Sequence, residues 1–178
     1  MRSVYPRMTD LADLPPLPSP ERIQELLFDA ARIGRDDVIP ALLRAGADIE
    51  GQDARGYTAL VLASYNGQLS TTGLLLDEGA APDGASDAQS NSALMGVAFK
   101  GHVDIARLLL DRGADPNRRN RAGQTAIMTA ALFNQTAIIA LLLERGADPN
   151  ATDHAGNTAA AVARMQGNTT LAEMLTPS

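Results

Sequence analysis

Cysteine and tryptophan are absent from the 178-residue sequence, which holds only three phenylalanines and three tyrosines. Without cysteine the chain forms no disulfide and no thiolate zinc site, and it has no cysteine nucleophile. Because aromatic side chains are scarce, any core is built mainly from Ala, Leu, Ile, Val and Met. The lack of cysteine also fits a reducing compartment, and we expect a cytoplasmic protein.

Long apolar runs are missing as well. No stretch approaches the roughly 20 residues of a membrane-spanning helix, and the N-terminus lacks the apolar segment of a signal peptide. The formal net charge of −6 argues against a general attraction to nucleic acid or anionic membranes, although a local basic patch could still act. We therefore expect no membrane association.

Catalytic patterns are not found either. The two histidines, His102 and His154, are far apart in the sequence, which makes a shared metal site improbable. No nucleophile-elbow motif is present, and the segment GVAFKGH lacks the Gly-Lys-Ser/Thr ending of a phosphate-binding loop. We expect a protein without catalytic residues, metal, cofactor or small-molecule substrate.

What the sequence does contain is an internal repeat. Four glycines, Gly46, Gly79, Gly113 and Gly146, follow one another at intervals of 33, 34 and 33 residues. Twelve residues before them stand Gly34, Gly67, Gly101 and Asn134. Thr58, Ser92, Thr125 and Thr158 keep the same interval. The repeating unit is therefore about 33 residues long.

The residue pattern of each unit predicts two helices. Thr58 can cap a short first helix, and Gly67 supplies the left-handed residue that ends it, a place that Asn134 takes in its own unit. The segment VDIARLLLDR then has a broad apolar face typical of a packed second helix. Gly113 ends that helix, and the Asp-Pro pair after it prevents continuation.

These residues occur in one alignment of four segments: DARGYTALVLASYNGQLSTTGLLLDEGAAPD, DAQSNSALMGVAFKGHVDIARLLLDRGADPN, NRAGQTAIMTAALFNQTAIIALLLERGADPN and DHAGNTAAAVARMQGNTTLAEML. In this pattern the sequence resembles the ankyrin-repeat family. It departs from the family's usual Thr-Pro-Leu-His, having TALV, SALM, TAIM and TAAA instead. The resemblance implies an all-α solenoid of paired antiparallel helices with hairpin-like turns.

The domain organisation follows from that alignment. We expect a flexible Pro-rich arm over residues 1–18 and one repeat domain over 19–178, with units at about 20–52, 53–86, 87–119, 120–152 and 153–178. Ser19 and Pro20 predict the start of the first helix, and the first and last units are interpreted as caps. In the last unit Leu171, Ala172, Met174 and Leu175 are expected to face inward. The longer connection after Gly79, with Ser90 where other units have glycine, predicts a distorted turn.

The resemblance also implies a binding surface, because similar proteins bind partner proteins on a concave face. Residues that vary between units at the turns and first-helix ends would give that face its identity. The candidates are Arg55, Tyr57, Tyr65, Asn66, Gln89, Asn91, Phe99, Lys100, Arg119, Arg121, Gln124, Leu132, Phe133, His154 and Met165. Four of the six aromatic residues fall in this set, as interfaces favour, although the two phenylalanines could instead pack between helices.

We therefore predict a non-enzymatic protein–protein interaction module, monomeric when unbound, that acts on its partner as inhibitor, neutraliser, stabiliser or adaptor. The alternative is a binder of nucleic acid or anionic surfaces through Arg118, Arg119 and Arg121. That alternative is weak, because three arginines on an acidic protein make a small footprint and no aromatic stacking platform lies among them.

Overall fold

The computed structural model describes residues 18–84 and 91–176, and all its regular elements there are helices. They are α1 (Pro20–Ile33), α2 (Ile39–Arg44), α3 (Ala59–Tyr65), α4 (Leu69–Asp77), α5 (Ala93–Lys100), α6 (Val103–Asp111), α7 (Ala126–Leu132), α8 (Thr136–Glu144), α9 (Ala159–Met165) and α10 (Thr169–Met174). The predicted all-α solenoid is confirmed. The Pro-rich arm, apart from Pro18, and the irregular turn around Ser90 lie outside the described residues.

The helices form two rows. Helices α1, α3, α5, α7 and α9 pack side by side, each next to its neighbour in that order, and α4, α6 and α8 form a second row behind them. The core lies between the rows and is aliphatic, with Leu27, Leu94, Leu109 and Leu142 fully buried. No helix in the described part of the chain has the length and apolar character needed to cross a membrane.

The first helices of the units follow the predicted capping pattern at their starts with one exception. Ser19 accepts the backbone N–H of Arg22, and Thr58, Ser92 and Thr158 accept the N–H three residues ahead. Thr125 departs from the pattern. Its hydroxyl is buried and has no hydrogen-bond partner among the described residues.

First-helix ends carry the predicted left-handed residues. Gly34, Gly67 and Gly101 have φ of 77°, 79° and 81°, and Asn134 has φ of 55°. Asn134 is the one non-glycine residue with positive φ in the described part of the chain. Asparagine tolerates this conformation better than other side chains, which explains its place in the pattern.

The repeated segment after each second helix joins neighbouring units. In each case a side-chain oxygen at the end of one unit accepts a backbone N–H from the next. Glu50 accepts from Ala81 at 2.7 Å, Asp83 from Asp115 at 2.6 Å, and Asn117 from Asp148 at 2.7 Å. The similarity of these segments therefore reflects a contact that recurs at the three joints between the first four units.

The expectation for the last helix needs one correction. Leu171, Ala172 and Leu175 are buried as predicted, but 72% of Met174 is exposed. Helix α10 packs on α9, and residues 171, 172 and 175 lie on one narrow face of it. Met174 lies beside that face, so it is not covered by α9.

Candidate functional site

A groove of about 840 Å³ runs between the row of turns and the first helices of the units. Helices α3, α5 and α7 form its floor, and the turns form one wall. The groove brings together many of the predicted binding residues, which are distant in the sequence. These are Arg55, Tyr57, Tyr65, Asn66, Asn91, Phe99, Gln124, Leu132 and Phe133.

The remaining predicted residues lie elsewhere. Gln89 is outside the described residues, and Lys100, Arg119, Arg121, His154 and Met165 do not line the groove. Lys100 lies beside it, with its Nζ 5.1 Å from the centre of the Tyr65 ring. Arg119 donates to the carbonyl of Thr152 at 2.8 Å, and Met165 is 63% exposed on α9.

Three of the described turns, one of which contributes Asp53, Arg55 and Tyr57 to the groove wall, share one hydrogen-bond arrangement. Asp53 Oδ1 accepts the backbone N–H groups of Arg55 and Tyr57 at 2.9 and 3.0 Å. Asn120 and Asp153 make the equivalent pair of bonds in the later turns. Asp53 therefore has a structural role in its turn, and these bonds fix the backbone that carries the neighbouring variable side chains.

The bonds in the last turn stabilise the charged form of the Asp153 carboxylate. Hydrogen bonds from the backbone and side chain of Asn157 hold the pKa of Asp153 below its usual value. Asp53 has a further partner, because Arg32 on α1 donates to its Oδ2 at 2.8 Å and only 11% of the Asp53 side chain is exposed. The negative charge of Asp53 is therefore compensated within the protein.

Both histidines have structural contacts. His102 Nε2 lies 3.2 Å from the carbonyl oxygen of Tyr65, so its ring bridges to the preceding unit. The backbone N–H of His154 donates to the carbonyl of Ala122 at 2.9 Å, and its ring lies against Gly123. The described residues contain no group of His, Asp or Glu side chains arranged to hold a metal ion.

Three aromatic rings form a row along the groove floor. Tyr65 and Phe99 stack with ring centres 6.0 Å apart and planes 14° apart. Phe99 meets Phe133 edge to face at 4.5 Å, and such pairs stabilise by about 0.5–1.5 kcal/mol beyond area burial. The three side chains still expose 39%, 41% and 42% of their surface. The rings therefore support one another and also face solvent.

Sequence reasoning missed Gly96, which lies within α5 on the groove floor. A Cβ atom added there would meet one neighbour within 4 Å, Tyr65 Cδ2 at 3.4 Å. Other units place Leu62, Thr129 and Val162 at this helix position. Because a glycine inside a helix costs about 0.5–1 kcal/mol relative to alanine, its presence creates a recess at the expense of helix stability. Comparison of the aligned units could have revealed it.

The arginines of the third turn do not form one exposed patch. Arg118 is half-buried, and its Nε is enclosed without a hydrogen-bond partner in the described residues. It lies near Asp83, whose pKa is raised by burial, an effect that the N–H of Asp115 and the charge of Arg118 partly oppose. Arg119 and Arg121 are exposed, which leaves a smaller cationic surface than the sequence suggested.

Comparison with known proteins is consistent with this architecture. A family model described as ankyrin repeats (3 copies) matches residues 27–120, and a second, ankyrin repeats (many copies), matches residues 109–163. A similar curated protein is the ankyrin repeat domain-containing protein SAT10 of Stachybotrys chartarum. It is 44% identical over 61 residues, which are 34% of this chain and 3% of that protein. The matched segment thus spans a small part of that relative.

Proposed function

Because the chain belongs to the ankyrin-repeat family, we propose that it binds a partner protein in the groove between its turns and first helices. Ankyrin repeats are generally protein–protein interaction modules. The observation that carries the proposal is the row of half-exposed aromatic rings, Tyr65, Phe99 and Phe133, on the groove floor. Aromatic side chains are enriched at interface centres, where truncation costs most binding energy.

The surroundings of the row support this use. Arg55, Asn66, Asn91 and Gln124 line the groove together with a mostly apolar floor, and protein interfaces likewise combine an apolar centre with polar groups at the rim. The row also extends across three helix pairs, so a bound segment would contact several units at once. Because the rings already pack against one another, little side-chain entropy would be lost when a partner covers them.

The module would act without catalysis by covering a surface of its partner, as inhibitor, neutraliser, stabiliser or adaptor. We propose that it does so in the cytoplasm and as a monomer when unbound. Binding of a nucleic acid at the turn with Arg118, Arg119 and Arg121 is less favoured than binding of a protein in the groove. Arg118 is half-buried near Asp83, and Arg119 already donates to a carbonyl.

Capture of partners from lysate of the source organism, identified by mass spectrometry, tests the proposal. Changing Tyr57, Tyr65 and Phe99 together to alanine should abolish capture, since each hot-spot truncation costs roughly 2 kcal/mol or more. Because Tyr57 packs partly against the core, circular dichroism must show that the variant is folded. The variant Tyr65→Ala, Phe99→Ala serves as a second, milder form.

Two exposed residues on second helices provide the control. Changing Arg107 on α6 and Glu144 on α8 to alanine should leave capture unchanged, because both side chains lie away from the groove. If the folded aromatic variants capture the same proteins as the parent chain, the groove is not the binding site.

A further inference from the structure

We propose that the recess at Gly96 receives a single apolar side chain from a partner segment that carries acidic residues beside that side chain. This inference rests on the proposed function and specifies its partner: a protein segment with one aliphatic or aromatic anchor in an acidic context. Two independent features of the groove support it, the shape of the floor and the distribution of charge.

The shape comes from the missing side chain in the middle of the groove floor. At the same helix position α3 and α7 carry Leu62 and Thr129, so the floor is filled on both sides of Gly96. A Cβ at Gly96 would touch the edge of the Tyr65 ring and nothing else within 4 Å. The apolar side chains of Met95 and Phe99 also line the groove here. A recess bounded by apolar groups and rings favours an apolar group of the partner.

A second glycine within a helix makes a useful comparison. Gly73 lies inside α4, where an added Cβ would stand 3.7 Å from Leu108 Cδ2 in ordinary contact. It faces the neighbouring second helix α6 and does not line the groove. The two glycines therefore share the same helical context, but only Gly96 opens toward the surface that holds the aromatic row.

The charge argument concerns cations near the recess. Lys100 stands one helical turn beyond Gly96, and its exposed ammonium lies by the Tyr65 ring at 5.1 Å. Arg55 is exposed on the groove wall. Neither makes a salt bridge with a described residue. Asp53, the one carboxylate among the described residues that line this groove, is already bonded to Arg32 and two backbone N–H groups.

The described residues of the groove therefore present unpaired positive charge on a protein whose formal net charge is −6. A segment with acidic residues gains attraction at Arg55 and Lys100, whereas a basic segment meets like charge there. Apart from the exposed Arg119 and Arg121, the surface outside the groove carries the excess of negative charge, which disfavours binding of an acidic segment there. Together the recess and the cations define an anchor site with acidic neighbours.

Selection from a random peptide library displayed on phage tests both features. Peptides selected by the parent protein should be enriched in Asp and Glu close to one Leu, Ile, Met or Phe. Their affinity, measured by fluorescence anisotropy, should fall as the salt concentration rises and when Lys100→Gln or Arg55→Gln removes a charge. Replacing the anchor of a selected peptide by alanine should weaken binding at least about tenfold.

The variants Gly96→Ala and Gly96→Leu test the recess, with Gly73→Ala as the matched control. We expect Gly96→Leu to weaken binding of the selected peptides at least about tenfold, Gly96→Ala to weaken it less, and Gly73→Ala to leave it unchanged. Both alanine variants should unfold at a higher temperature than the parent, because alanine favours a helix more than glycine does. Loss of binding together with a gain in stability excludes unfolding as the cause.

The possible failures are distinguishable. If Phe99→Ala abolishes peptide binding while Gly96→Leu binds as tightly as the parent, the groove functions but the recess is no anchor site. If selected peptides show no acidic enrichment, the charge part of the inference is wrong. If no peptide is selected, the segment proposal is overturned. If Tyr65→Ala, Phe99→Ala and Gly96→Leu all leave peptide binding intact, both the anchor site and the proposed binding in the groove are wrong.

Discussion

The side chain of Gln68 occupies the space that a Cβ atom on Gly34 would need. Such an atom would stand 2.5 Å from Gln68 Oε1, and Gln68 Nε2 donates to the carbonyl of Arg32 at 3.1 Å. Gln135 lies over Gly101 in the same way. Each of these glycines therefore serves its own unit through a positive φ and the next unit through the space it leaves.

The first prediction concerns this contact. Gly34→Ala should destabilise the protein by about 2 kcal/mol, roughly half from left-handed strain and half from the displaced Gln68 hydrogen bond. In the Gln68→Ala background the cost should fall by about 1 kcal/mol, since only strain remains. Urea unfolding of the four proteins measures this coupling.

Gly167→Ala is the control for strain, because Gly167 has the same φ of 77° and no atom within 4 Å of an added Cβ. Gly167→Ala should lower the free energy of unfolding by about 1 kcal/mol, by the same amount whether residue 68 is glutamine or alanine. Strictly additive effects of Gly34→Ala and Gln68→Ala would contradict the joint role of this glycine.

The second prediction compares two threonines at helix starts. Thr58 caps α3 by accepting the N–H of Val61 at 3.3 Å, whereas the Thr125 hydroxyl is buried without a partner among the described residues. Thr58→Val should cost about 1 kcal/mol through loss of the cap. Thr125→Val should be neutral or stabilising, because it removes a buried unpaired hydroxyl. Thermal unfolding gives both values, and equal losses would show that Thr125 also caps its helix in solution.

The third prediction concerns pH. Burial raises the pKa of Asp83, so the Asp83 carboxyl group binds a proton more readily in the folded state than in the unfolded chain. The resulting stability is present below the unfolded pKa, near 3.9, and is lost as the pH rises through the folded value. At neutral pH the charge therefore costs stability, and Asp83→Asn should raise the urea midpoint there.

The increase in the urea midpoint caused by Asp83→Asn should become smaller as the pH falls below about 4, where Asp83 is protonated in both the folded and the unfolded state. Asparagine already serves at the equivalent position, where Asn117 accepts the N–H of Asp148 and donates to the carbonyl of Gly146. Glu144→Gln, a change at an exposed side chain, should have little effect at either pH. A lower midpoint for Asp83→Asn at pH 7 would mean that attraction to Arg118 outweighs the cost of burial.

The fourth prediction separates two ion-paired aspartates. Asp111 pairs with Arg145 at 2.6 Å, but half of its side chain is exposed, so Asp111→Ala should cost less than about 1 kcal/mol. Asp53 is mostly buried, pairs with Arg32 and accepts two backbone N–H groups. Asp53→Ala should cost about 2 kcal/mol or more, because those donors lose their acceptor. High salt should reduce the Asp111 effect and leave most of the Asp53 effect, as chemical denaturation can show.

Much of the candidate site followed from sequence position. Tyr65, Phe99 and Phe133 stand where the repeat pattern is free to vary, and the structure places them side by side in one groove. Gly96 and Arg32 were not predicted, because a glycine within a helix and an arginine on α1 carry no signal in a single unit. Their roles depend on a neighbouring unit: the Tyr65 ring beside Gly96, and Asp53 beside Arg32.

The phenylalanines show the same limit. The sequence left open whether they pack between helices or face a partner, and the structure shows rings that pack against each other while about two fifths of each side chain stays exposed. Contact with a partner remains a prediction. A pattern within one unit cannot distinguish these alternatives, since both need an apolar ring at a helix end.

By itself the sequence determined the repeating unit, the helix starts and the helix ends. These depend on short-range physics: a cap accepts an N–H three residues ahead, and only certain residues tolerate a positive φ. The tertiary structure decided which side chains meet across units about 33 residues apart. In the folded protein Met174 is exposed, Arg118 is half-buried near Asp83, and a recess is open at Gly96. Burial and electrostatics depend on contacts between residues that are distant in the sequence, so the pattern within one unit does not determine them.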